Sequence, residues 1–586
     1  MRPVQHLHQK HVLQTVCALE AVVLRTFGPE GGQVLFTRDN GQAMLSRSGT
    51  RILTALRLEH PLARMLVECV WKHSGKTGDG SKSFILLVAS LLRTIYTAAS
   101  KEPNVSRVYH SREVAESTAA RRMADQMLAF ASEKLKDVIA LAVAPIGFSL
   151  SSAQSASNSD VAHVETLLAS FFRTRLGWAH CDFMGGLIFK LLGKCSQSDS
   201  SSSSLRFLND NFPALHTRVS GFPVSCSRLI EGQVIHRDFA THCHGDQHPV
   251  KAVVFNIALH PEWLNASHMV EIGNGTHGKS IMHFSAWAES SLENIFASLQ
   301  TLGVSILLFA VKQSEAILSL ATQAEMCVVE CVDEDELALF LHLSGASAVT
   351  DYREIRPEHV ASLAFCRPIL LGARRYVHVA FPDSKVTQPS SLIICGLGEG
   401  QTDQYAGAAQ DAVRMLRTTW EPPGATGKDP SSTLPGCVIP AGGTFEFLLH
   451  YALLQHGISE NIPVVCQLLA EALLHLPRLI HSNKPKHFLQ IQSRVWSFYR
   501  NPFQPDGLLW QPEISLANHG EQCSQGDATP SLNCLSGLES VSCKFHLILA
   551  VLQCVKSLLR VDTVLHVANE LHPKSAKSNN SSDDED

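Results

Sequence analysis

A nearly uninterrupted apolar run, FILLVASLL at residues 84–92, restricts the fold of this chain more than any other feature. A helix that spans a bilayer needs about 20 apolar residues, so we expect this shorter run to form a helix inside a protein core. The helix should begin at Ser81 or Ser83, because serine is favoured at a helix N-terminus. The sequence therefore predicts a helical core around this run.

A second helix is predicted just before this run. It should start at Pro61, because proline is favoured at the first helical position, and it should end in HSGKTGDG at residues 73–80. Its apolar residues recur at intervals of three and four, which places them on one helical face: Leu62, Met65, Leu66, Cys69 and Val70. Two buried helices are thus expected on either side of one glycine-containing turn.

The N-terminal segment also predicts a helix, which should end at FGPEGG, residues 27–32, where Gly28 and Pro29 interrupt it. The following residues 34–49 predict a β-hairpin with Asn40 and Gly41 in its turn. The apolar face of the N-terminal helix is formed by Val12, Val16, Leu19, Val22 and Val23.

The middle of the chain differs in character from both ends. Short β-prone runs alternate there with helical patterns, which predicts an α/β domain. After a loop expected at residues 421–436, helical patterns dominate again, including the segment from Phe545 onward. The chain is therefore expected to be a multidomain α + α/β protein. The β-prone runs are 252–259, 304–311 and 326–332, and the helical stretches between and after them are 291–303 and 334–345.

Composition narrows the functional classes. With 586 residues, 45% hydrophobic content and 18% charged residues, the chain can bury large cores in several units. The formal net charge of -5 and the lack of a dense basic block argue against nucleic acid as a partner. We find no signal peptide and no apolar run of about 18 residues, so we expect a cytoplasmic protein without membrane insertion. Sixteen cysteines without C-x-x-C pairing predict thiols rather than disulfides.

Three stretches rich in serine or polar residues lack the apolar residues that would offset the entropy cost of ordering. They are residues 150–158, residues 196–204 and the acidic tail at 569–586. We expect all three to be disordered.

A G-x-x-x-x-G-K-S match occurs in GNGTHGKS, at Gly273, Gly278, Lys279 and Ser280. A working phosphate loop of this type follows a buried strand, but the preceding residues LNASHMVEI are polar. The context favours a surface turn before a helix. An independent P-loop nucleotidase remains an alternative.

Two other glycine-rich turns have a better context for phosphate. TGDGSKS, residues 77–83, lies between two apolar helices, and Asp79 there offers the hard oxygen that Mg²⁺ prefers. CVIPAGGTFEFLLHY, residues 437–451, runs from a β-prone segment through Gly442 and Gly443 into an apolar helix. Such turns could converge on one nucleotide.

Other interpretations of single residues stay open on the sequence. Asp79 could only cap the following helix, and Asp411 could be a solvated helix residue. HCHGDQH contains ligand types near zinc spacing but lacks a second cluster. The sequons at Asn265 and Asn274 should be unused in the cytoplasm. The four candidate metal-ligating side chains in HCHGDQH are His242, Cys243, His244 and His248.

Several motifs together resemble one family, the group II chaperonins, which include the cytosolic TRiC/CCT ring subunits. The similarity is in chain order and extends over about residues 10–568. The segments that carry it are FGPEGG at 27–32, SRSGTRILTALRLEHPLARMLVE at 46–68, TGDGSKSF at 77–84, LIEGQVI at 229–235, VDEDELALFLHLSGASAV at 332–349, AAQDAVRMLR at 408–417, IPAGGTFE at 439–446 and LLRVDTVL at 558–565.

The resemblance implies a subunit of three domains. A helical equatorial domain would be made from both chain ends, and a split intermediate domain would link it to a central α/β apical domain that holds client proteins. The implied boundaries are 1–145 and 425–568 for the equatorial domain, 146–218 and 360–424 for the intermediate domain, and 219–359 for the apical domain.

The resemblance also implies a site for ATP and Mg²⁺. Asp79 would hold the metal and phosphate, and Asp411 would orient the attacking water. Gly28 and Pro29 would flank the phosphates, and Gly442 and Gly443 the nucleoside. The phosphate loop itself would consist of Gly78, Gly80, Ser81, Lys82 and Ser83.

This chain departs from the family pattern at positions that matter for hydrolysis. Ser48 stands where the family has a third acidic residue near the metal, and Lys82 replaces a threonine of the phosphate loop. No clear match to the family's late ribose-contacting aspartate occurs between Asp527 and Lys544. Loss of one positioned group commonly lowers turnover by orders of magnitude, so we expect weak or absent hydrolysis.

The implied function is that of a chaperonin-like protein that assists assembly of other proteins. The similarity is greatest to a branch of the family that serves the BBSome, a ciliary trafficking complex. Its expected partners are CCT subunits and other chaperonin-like ciliary proteins, with BBSome subunits as clients, in the cytoplasm near the ciliary base. Two mechanisms stay open: an ATPase cycle, or a scaffold without hydrolysis.

Overall fold

The structure is a computed structural model. It describes residues 5–28, 30–37, 41, 43–101, 109–150, 158–195, 201–241, 250–259, 290–351, 355–382, 390–421, 435–459, 462–500 and 537–564. Several predictions concern residues outside these ranges: Pro29, GNGTHGKS at 273–280, HCHGDQH at 242–248, the sequons, residues 151–157 and 196–200, and the acidic tail.

A helical region is built from both ends of the described chain, and one continuous apolar core joins them. Its N-terminal helices are α1 (Gln9–Leu24), α2 (Gly49–Thr54), α3 (Pro61–Thr77), α4 (Ser81–Ala99), α5 (Tyr109–Glu133) and α6 (Leu135–Val143). Its C-terminal helices are α15 (Thr444–Ser459), α16 (Pro463–Leu473), α17 (His475–Ile480), α18 (Pro485–Arg500) and α19 (Val541–Leu559).

Short antiparallel sheets connect distant parts of the helical region. Strand β1 (Gln5–His6) pairs with β17 (Thr563–Val564). Strand β15 (Cys437–Pro440) pairs with both β16 (Leu538–Ser540) and β4 (Phe148–Ser149). The predicted hairpin is confirmed, with β2 (Val34–Thr37) antiparallel to β3 (Ala43–Ser46).

Helix α4 is the central helix that the apolar run predicted. Phe84, Ile85 and Leu86 have no solvent exposure, and residues 87–92 and Ile95 are also buried. A helix that is apolar on all sides must be surrounded by other elements, and α4 contacts α1, α3, α5, α16 and α19. The predicted start at Ser81 is confirmed, with Gly80 as the residue before the helix.

The sequence analysis expected no segment long and apolar enough to cross a membrane. By length and composition alone, this expectation is wrong. Three helical segments in the described part of the chain are long and apolar enough: Ser81–Ala99, Pro463–Ile480 and Val541–Leu559. More than half of each apolar window, 61%, 56% and 56% in that order, is buried inside the protein. Their apolar surfaces therefore contribute to the core of the helical region.

A linking region connects the helical region to the centre of the chain. It contains a three-stranded sheet in the order β5–β14–β6, in which β14 is parallel to β5 and antiparallel to β6. Its elements are α7 (Asn158–Leu176), α8 (Cys181–Cys195), α9 (Ser201–Asp210), α10 (Phe212–Leu215), β5 (His216–Ser220), β6 (Arg228–Glu231), β14 (Ser390–Gly396) and α14 (Glu399–Trp420).

The central region has the predicted α/β character. Its larger sheet has the order β10–β9–β8–β11, with three parallel strands and an antiparallel β11. A second sheet has the order β12–β13–β7. The elements are β7 (Gln233–Ile235), β8 (Val250–Phe255), α11 (described over 290–301), β9 (Ile306–Phe309), α12 (Glu315–Gln323), β10 (Cys327–Val329), α13 (Glu334–Ser344), β11 (Val360–Leu363), β12 (Phe365–Leu371) and β13 (Arg374–Ala380).

The order of these regions confirms the expected combination of a helical unit with an α/β unit. The exact domain limits stay predictions. Strand β11 begins at Val360 yet pairs with β8, so residues on both sides of the predicted boundary at 359/360 share one sheet.

One predicted disordered stretch contains regular structure instead. Residues 201–204 form the first turn of α9, and the side chain of Ser204 is only 2% exposed. Leu205 and Leu208 follow on the buried face of this helix. Their apolar burial explains why the helix includes serines that composition alone would leave in a linker.

Candidate functional site

The TGDGSKS turn connects the two most central helices of the helical region. Gly78 ends α3 with φ 72°, and Gly80 precedes α4 with φ 83°. Glycine adopts this left-handed backbone at no steric cost. A Cβ atom on Gly78 would also lie 2.0 Å from the carbonyl oxygen of Asp411. The turn is therefore packed directly against the backbone of α14.

Arg175, at the end of α7, brings the predicted site carboxylates together. Its Nη2 atom donates to Asp79 Oδ1 at 3.1 Å and to Gly78 O at 2.9 Å. Its Nη1 atom donates to Asp411 Oδ2 at 3.2 Å and lies 3.5 Å from Ser48 Oγ. The arginine side chain is 8% exposed. One buried cation thus contacts three chain segments besides its own.

Asp411 is not a solvated helix residue, because its side chain is 17% exposed and both of its oxygens are paired. Arg175 contacts Oδ2, and Arg414 donates to Oδ1 at 3.3 Å. Burial raises the pKa of Asp411, although Arg175, Arg414 and Arg51 act in the opposite direction. Both oxygens of Asp411 thus accept from a guanidinium group, so a water molecule would have to share an oxygen that is already paired.

Asp79 is more accessible than Asp411, with 45% of its side chain exposed. Its Oδ1 atom accepts from Arg175, so its role is not limited to capping α4. The alternative that Asp79 serves only as a helix cap is therefore wrong.

Lys82 connects this turn to the turn that follows α1. Its Nζ atom donates to the carbonyl oxygen of Thr26. Its side chain also packs closely against Gly49, because a Cβ atom added to this glycine would lie 2.6 Å from Lys82 Cγ. Burial, followed by the charges of Arg175 and Arg47, lowers the pKa of Lys82 to about 7. The lysine that replaces a phosphate-loop threonine therefore binds the protein's own backbone.

The glycine turn before α15 is connected to the Gly28 turn through the residues after α17. Gly442 and Gly443 both have left-handed backbone, with φ 93° and 92°. His481 Nε2 lies 2.9 Å from Gly442 O, and Asn483 Nδ2 donates to Glu30 Oε2 at 2.7 Å. Glu30 follows the Gly28 turn. The structure thus connects the predicted turns, although their roles in nucleotide binding stay predictions.

A second buried ion cluster, which the sequence analysis missed, lies beside Asp79. Lys544 Nζ contacts Glu446 Oε1 at 2.8 Å and Glu539 Oε2 at 2.7 Å. Burial alone would lower the pKa of Lys544, but the two carboxylates outweigh it and raise that pKa. Burial raises the pKa of Glu539, and the charge of Asp79 adds to this effect. Lys544 belongs to none of the sequence motifs, so the cluster becomes visible only when α15, β16 and α19 pack together.

The remaining predicted site residues lie around the start of α4. Ser81 is buried, and its Oγ atom would lie 2.7 Å from a Cβ on Gly49. Ser83 lies in the first turn of α4 and is half-buried. Arg175 itself carried no sequence signal, because it is one of two arginines in RTRL at the end of α7 and belongs to no motif.

The residues present do not fit the Mg²⁺ ion that the resemblance implies. Magnesium at a nucleotide site usually takes one or two free protein carboxylates, and water and phosphate oxygens complete its octahedral shell. Three of the four carboxylate oxygens of Asp79 and Asp411 already accept from guanidinium groups, and Ser48 provides only a hydroxyl. Within the described ranges, no group of three or more His, Cys, Asp or Glu side chains could hold a metal ion.

Comparison with known proteins places the chain among the chaperonins. The TCP-1/cpn60 chaperonin family matches residues 19–568. The chain is 30% identical over 417 residues to the BBSome complex assembly protein BBS10 of Pongo abelii and of Homo sapiens, over 70% of this chain and 57% of each relative. It therefore spans less than two thirds of the length of these curated relatives.

More distant similarity extends to thermosome and T-complex protein 1 subunits. Thermosome subunit alpha of Halobacterium salinarum is 20% identical over 471 residues, which cover 80% of this chain and 74% of that protein. The T-complex protein 1 subunit eta of Dictyostelium discoideum is 21% identical over 486 residues, which cover 80% and 76%. With a family match over most of its length and a helical unit joined to an α/β unit, this chain belongs to the TCP-1/cpn60 chaperonin family.

Proposed function

We propose that this chain assists assembly of the BBSome as a chaperonin-like scaffold with little or no ATP turnover. The observation that carries this proposal is the 30% identity to BBSome complex assembly proteins over 70% of the chain. The proposed partners are related chaperonin-like proteins and CCT subunits, and the proposed clients are BBSome subunits. The proposed location is the cytoplasm near the ciliary base, where the chain would support ciliogenesis and ciliary transport.

The site geometry supports the scaffold mechanism over an ATPase cycle. ATP hydrolysis needs metal charge neutralisation and an oriented water molecule. Asp79 and Asp411, the two carboxylates assigned to these tasks by resemblance, both bind Arg175. Lys82, in the phosphate loop, binds the backbone of Thr26. The groups that hydrolysis would use are thus engaged with other parts of the protein.

The assembly role is tested in ciliated cells from which the gene for this chain is deleted. BBSome assembly is measured by the size of complexes that contain BBSome subunits, with native gels or sedimentation. We expect assembled BBSome to fall after deletion and to return when the wild-type chain is expressed. Unchanged BBSome assembly after deletion would contradict the proposed function.

The mechanism is tested with Asp411→Asn, which keeps the shape of the side chain and removes its charge. A scaffold should restore BBSome assembly in proportion to the amount of this variant that stays folded, because Asp411 also pairs with Arg175, whereas an ATPase cycle should lose most of its rate. Purified wild-type protein is assayed for ATP hydrolysis in parallel. Steady hydrolysis that Asp411→Ala abolishes would show the ATPase cycle to be correct instead.

A further inference from the structure

Arg175 forms ion pairs with two carboxylates rather than one. Its guanidinium lies between two carboxylates from different regions, Asp79 of the helical region and Asp411 of the linking region. We propose that Arg175 is the resident cation of this site, which takes the place of a divalent metal ion and joins the two regions without a ligand. This proposal concerns the same site as the proposed function but does not depend on the BBSome.

The shape of the guanidinium suits this task. It is planar, it carries its donors in a fixed fork, and it stays charged in proteins. Its two terminal nitrogens contact one carboxylate each, at 3.1 Å and 3.2 Å, and Nη2 also contacts the carbonyl oxygen of Gly78. A metal ion between the carboxylates would have to displace this side chain.

Contacts to both the backbone and the side chain hold Arg175 in place. Gln404, on α14, donates from Nε2 to the carbonyl oxygen of Arg175 at 3.2 Å. The guanidinium also lies 4.9 Å from the ring centroid of Phe171, one helical turn earlier. A buried charge with these contacts has few alternative rotamers, so the cation remains between the carboxylates.

The charges around the site also disfavour a metal ion. Arg51 and Arg414 act on the pKa of Asp411, and Arg47 acts on the pKa of Lys82. Of the basic groups around the site, Arg175 contacts both carboxylates. A divalent cation between the carboxylates would therefore meet the charge of Arg175 at close range in a partly buried site, where charges interact more strongly than in water.

Two more contacts hold α14 against the helical region. Gly78 approaches the backbone of Asp411 too closely for any other residue. Thr418 Oγ1 donates to the carbonyl oxygen of Lys76 at 3.3 Å. Residues of the chain itself therefore form the junction, and Arg175 supplies the charge that the two carboxylates need.

The proposal is tested by Mn²⁺ titration of the purified full-length protein, with electron paramagnetic resonance to measure free Mn²⁺. We expect no Mn²⁺ site in the wild type that depends on Asp79, with or without ATP. Arg175→Met keeps much of the side-chain volume and removes the charge. It should gain one Mn²⁺ per chain, with affinity raised at least about tenfold and competed by Mg²⁺.

Two variants identify the site. Arg173→Met removes another guanidinium from the same helix, one that lies 4.1 Å from the ring centroid of Trp178, and it should gain no Mn²⁺ site. The double variant Arg175→Met with Asp79→Asn should lose the gained site, which separates it from weak binding to the acidic tail at 569–586.

Two results would overturn the proposal: a wild-type Mn²⁺ site that Asp79→Asn removes, or a folded Arg175→Met protein without a new site. If Arg175→Met does not fold, the comparison of wild type with Asp79→Asn still decides the question, because a resident arginine predicts equal Mn²⁺ binding by both. Failure of this test would leave the BBSome assembly experiment unaffected.

Discussion

The protein contains two ion clusters in which one cation pairs with two carboxylates. Arg175 with Asp79 and Asp411 joins the linking region to the helical region. Lys544 with Glu446 and Glu539 lies wholly inside the helical region. Asp79 is 45% exposed, whereas Glu446 is only 2% exposed. Water therefore has more access to Asp79 than to Glu446 or to Glu539, which is 28% exposed.

This difference separates two uses of a buried cation. In the Lys544 cluster, both carboxylates depend on one ammonium group for their charge balance, so the cluster should matter mainly for folding. In the Arg175 cluster, water can partly replace the contact to Asp79, so the cluster should matter mainly for how two regions are held together. Three substitutions test and sharpen this contrast.

The largest effect is expected from Lys544→Met. It leaves Glu446 buried and Glu539 partly buried without their cation, and removal of one partner from a buried ion cluster typically costs about 3–5 kcal/mol. The free energy of unfolding, measured by denaturant titration, should fall by about this amount. Lys556→Met is the matched control on the same helix, because Lys556 pairs with Asp125, which is 41% exposed. It should cost less than about 1 kcal/mol. Equal losses in the two variants would contradict the assignment.

A smaller effect is expected from Gly78→Ala, which tests the contact between the turn and α14. A left-handed backbone costs a residue with a side chain about 1–2 kcal/mol, and the close approach to Asp411 O adds an overpacking cost of about 1–3 kcal/mol. Gly28→Ala is the control, since Gly28 has φ 85° but no atom within 4 Å of an added Cβ. Denaturant unfolding should show a clearly larger loss for Gly78→Ala. Similar losses would mean that the turn can move away from α14.

The smallest effect is expected from Lys82→Met and depends on pH. The folded state lowers the pKa of Lys82 from 10.5 to about 7, so between these values the unfolded chain binds more protons. The free energy of unfolding therefore rises with pH across that window. Below about pH 7 the lysine is protonated in both states, so the cost of burying its charge stays constant. We expect the wild type to gain stability relative to Lys82→Met between about pH 7 and about pH 9. Identical pH slopes of the unfolding free energy would show that Lys82 is solvated.

Sequence patterns predicted the parts of the fold that depend on local spacing. The burial of α4 followed from nine consecutive residues that are almost all apolar, and the β2–β3 hairpin followed from its turn. The parallel strands β8, β9 and β10 followed from short β-prone runs separated by helical patterns. In each case, neighbouring residues alone decide which face is buried.

The chemistry of the site could be predicted only in part, because it depends on contacts across long stretches of chain. Asp79 and Asp411 were expected near each other, but Arg175 is 96 and 236 residues away from them and belongs to no motif. Lys544 likewise depends on Glu446, which is 98 residues earlier. Spacing between neighbours carries no information about such partners. The expectation that Asp79 holds the metal and Asp411 orients a water molecule therefore missed the cation that lies between them.

The burial of α4 also has a consequence for synthesis of the chain. Ser90 Oγ donates to the carbonyl oxygen of Ala472, and α4 also packs against α19, which starts at Val541. A ribosome adds about 5–20 residues per second, so α4 waits on the order of 20–90 seconds between its own synthesis and the arrival of α19. During that time, one of the most apolar helices of the protein lacks a major packing partner. We expect the nascent chain to need a chaperone until α19 has been synthesised.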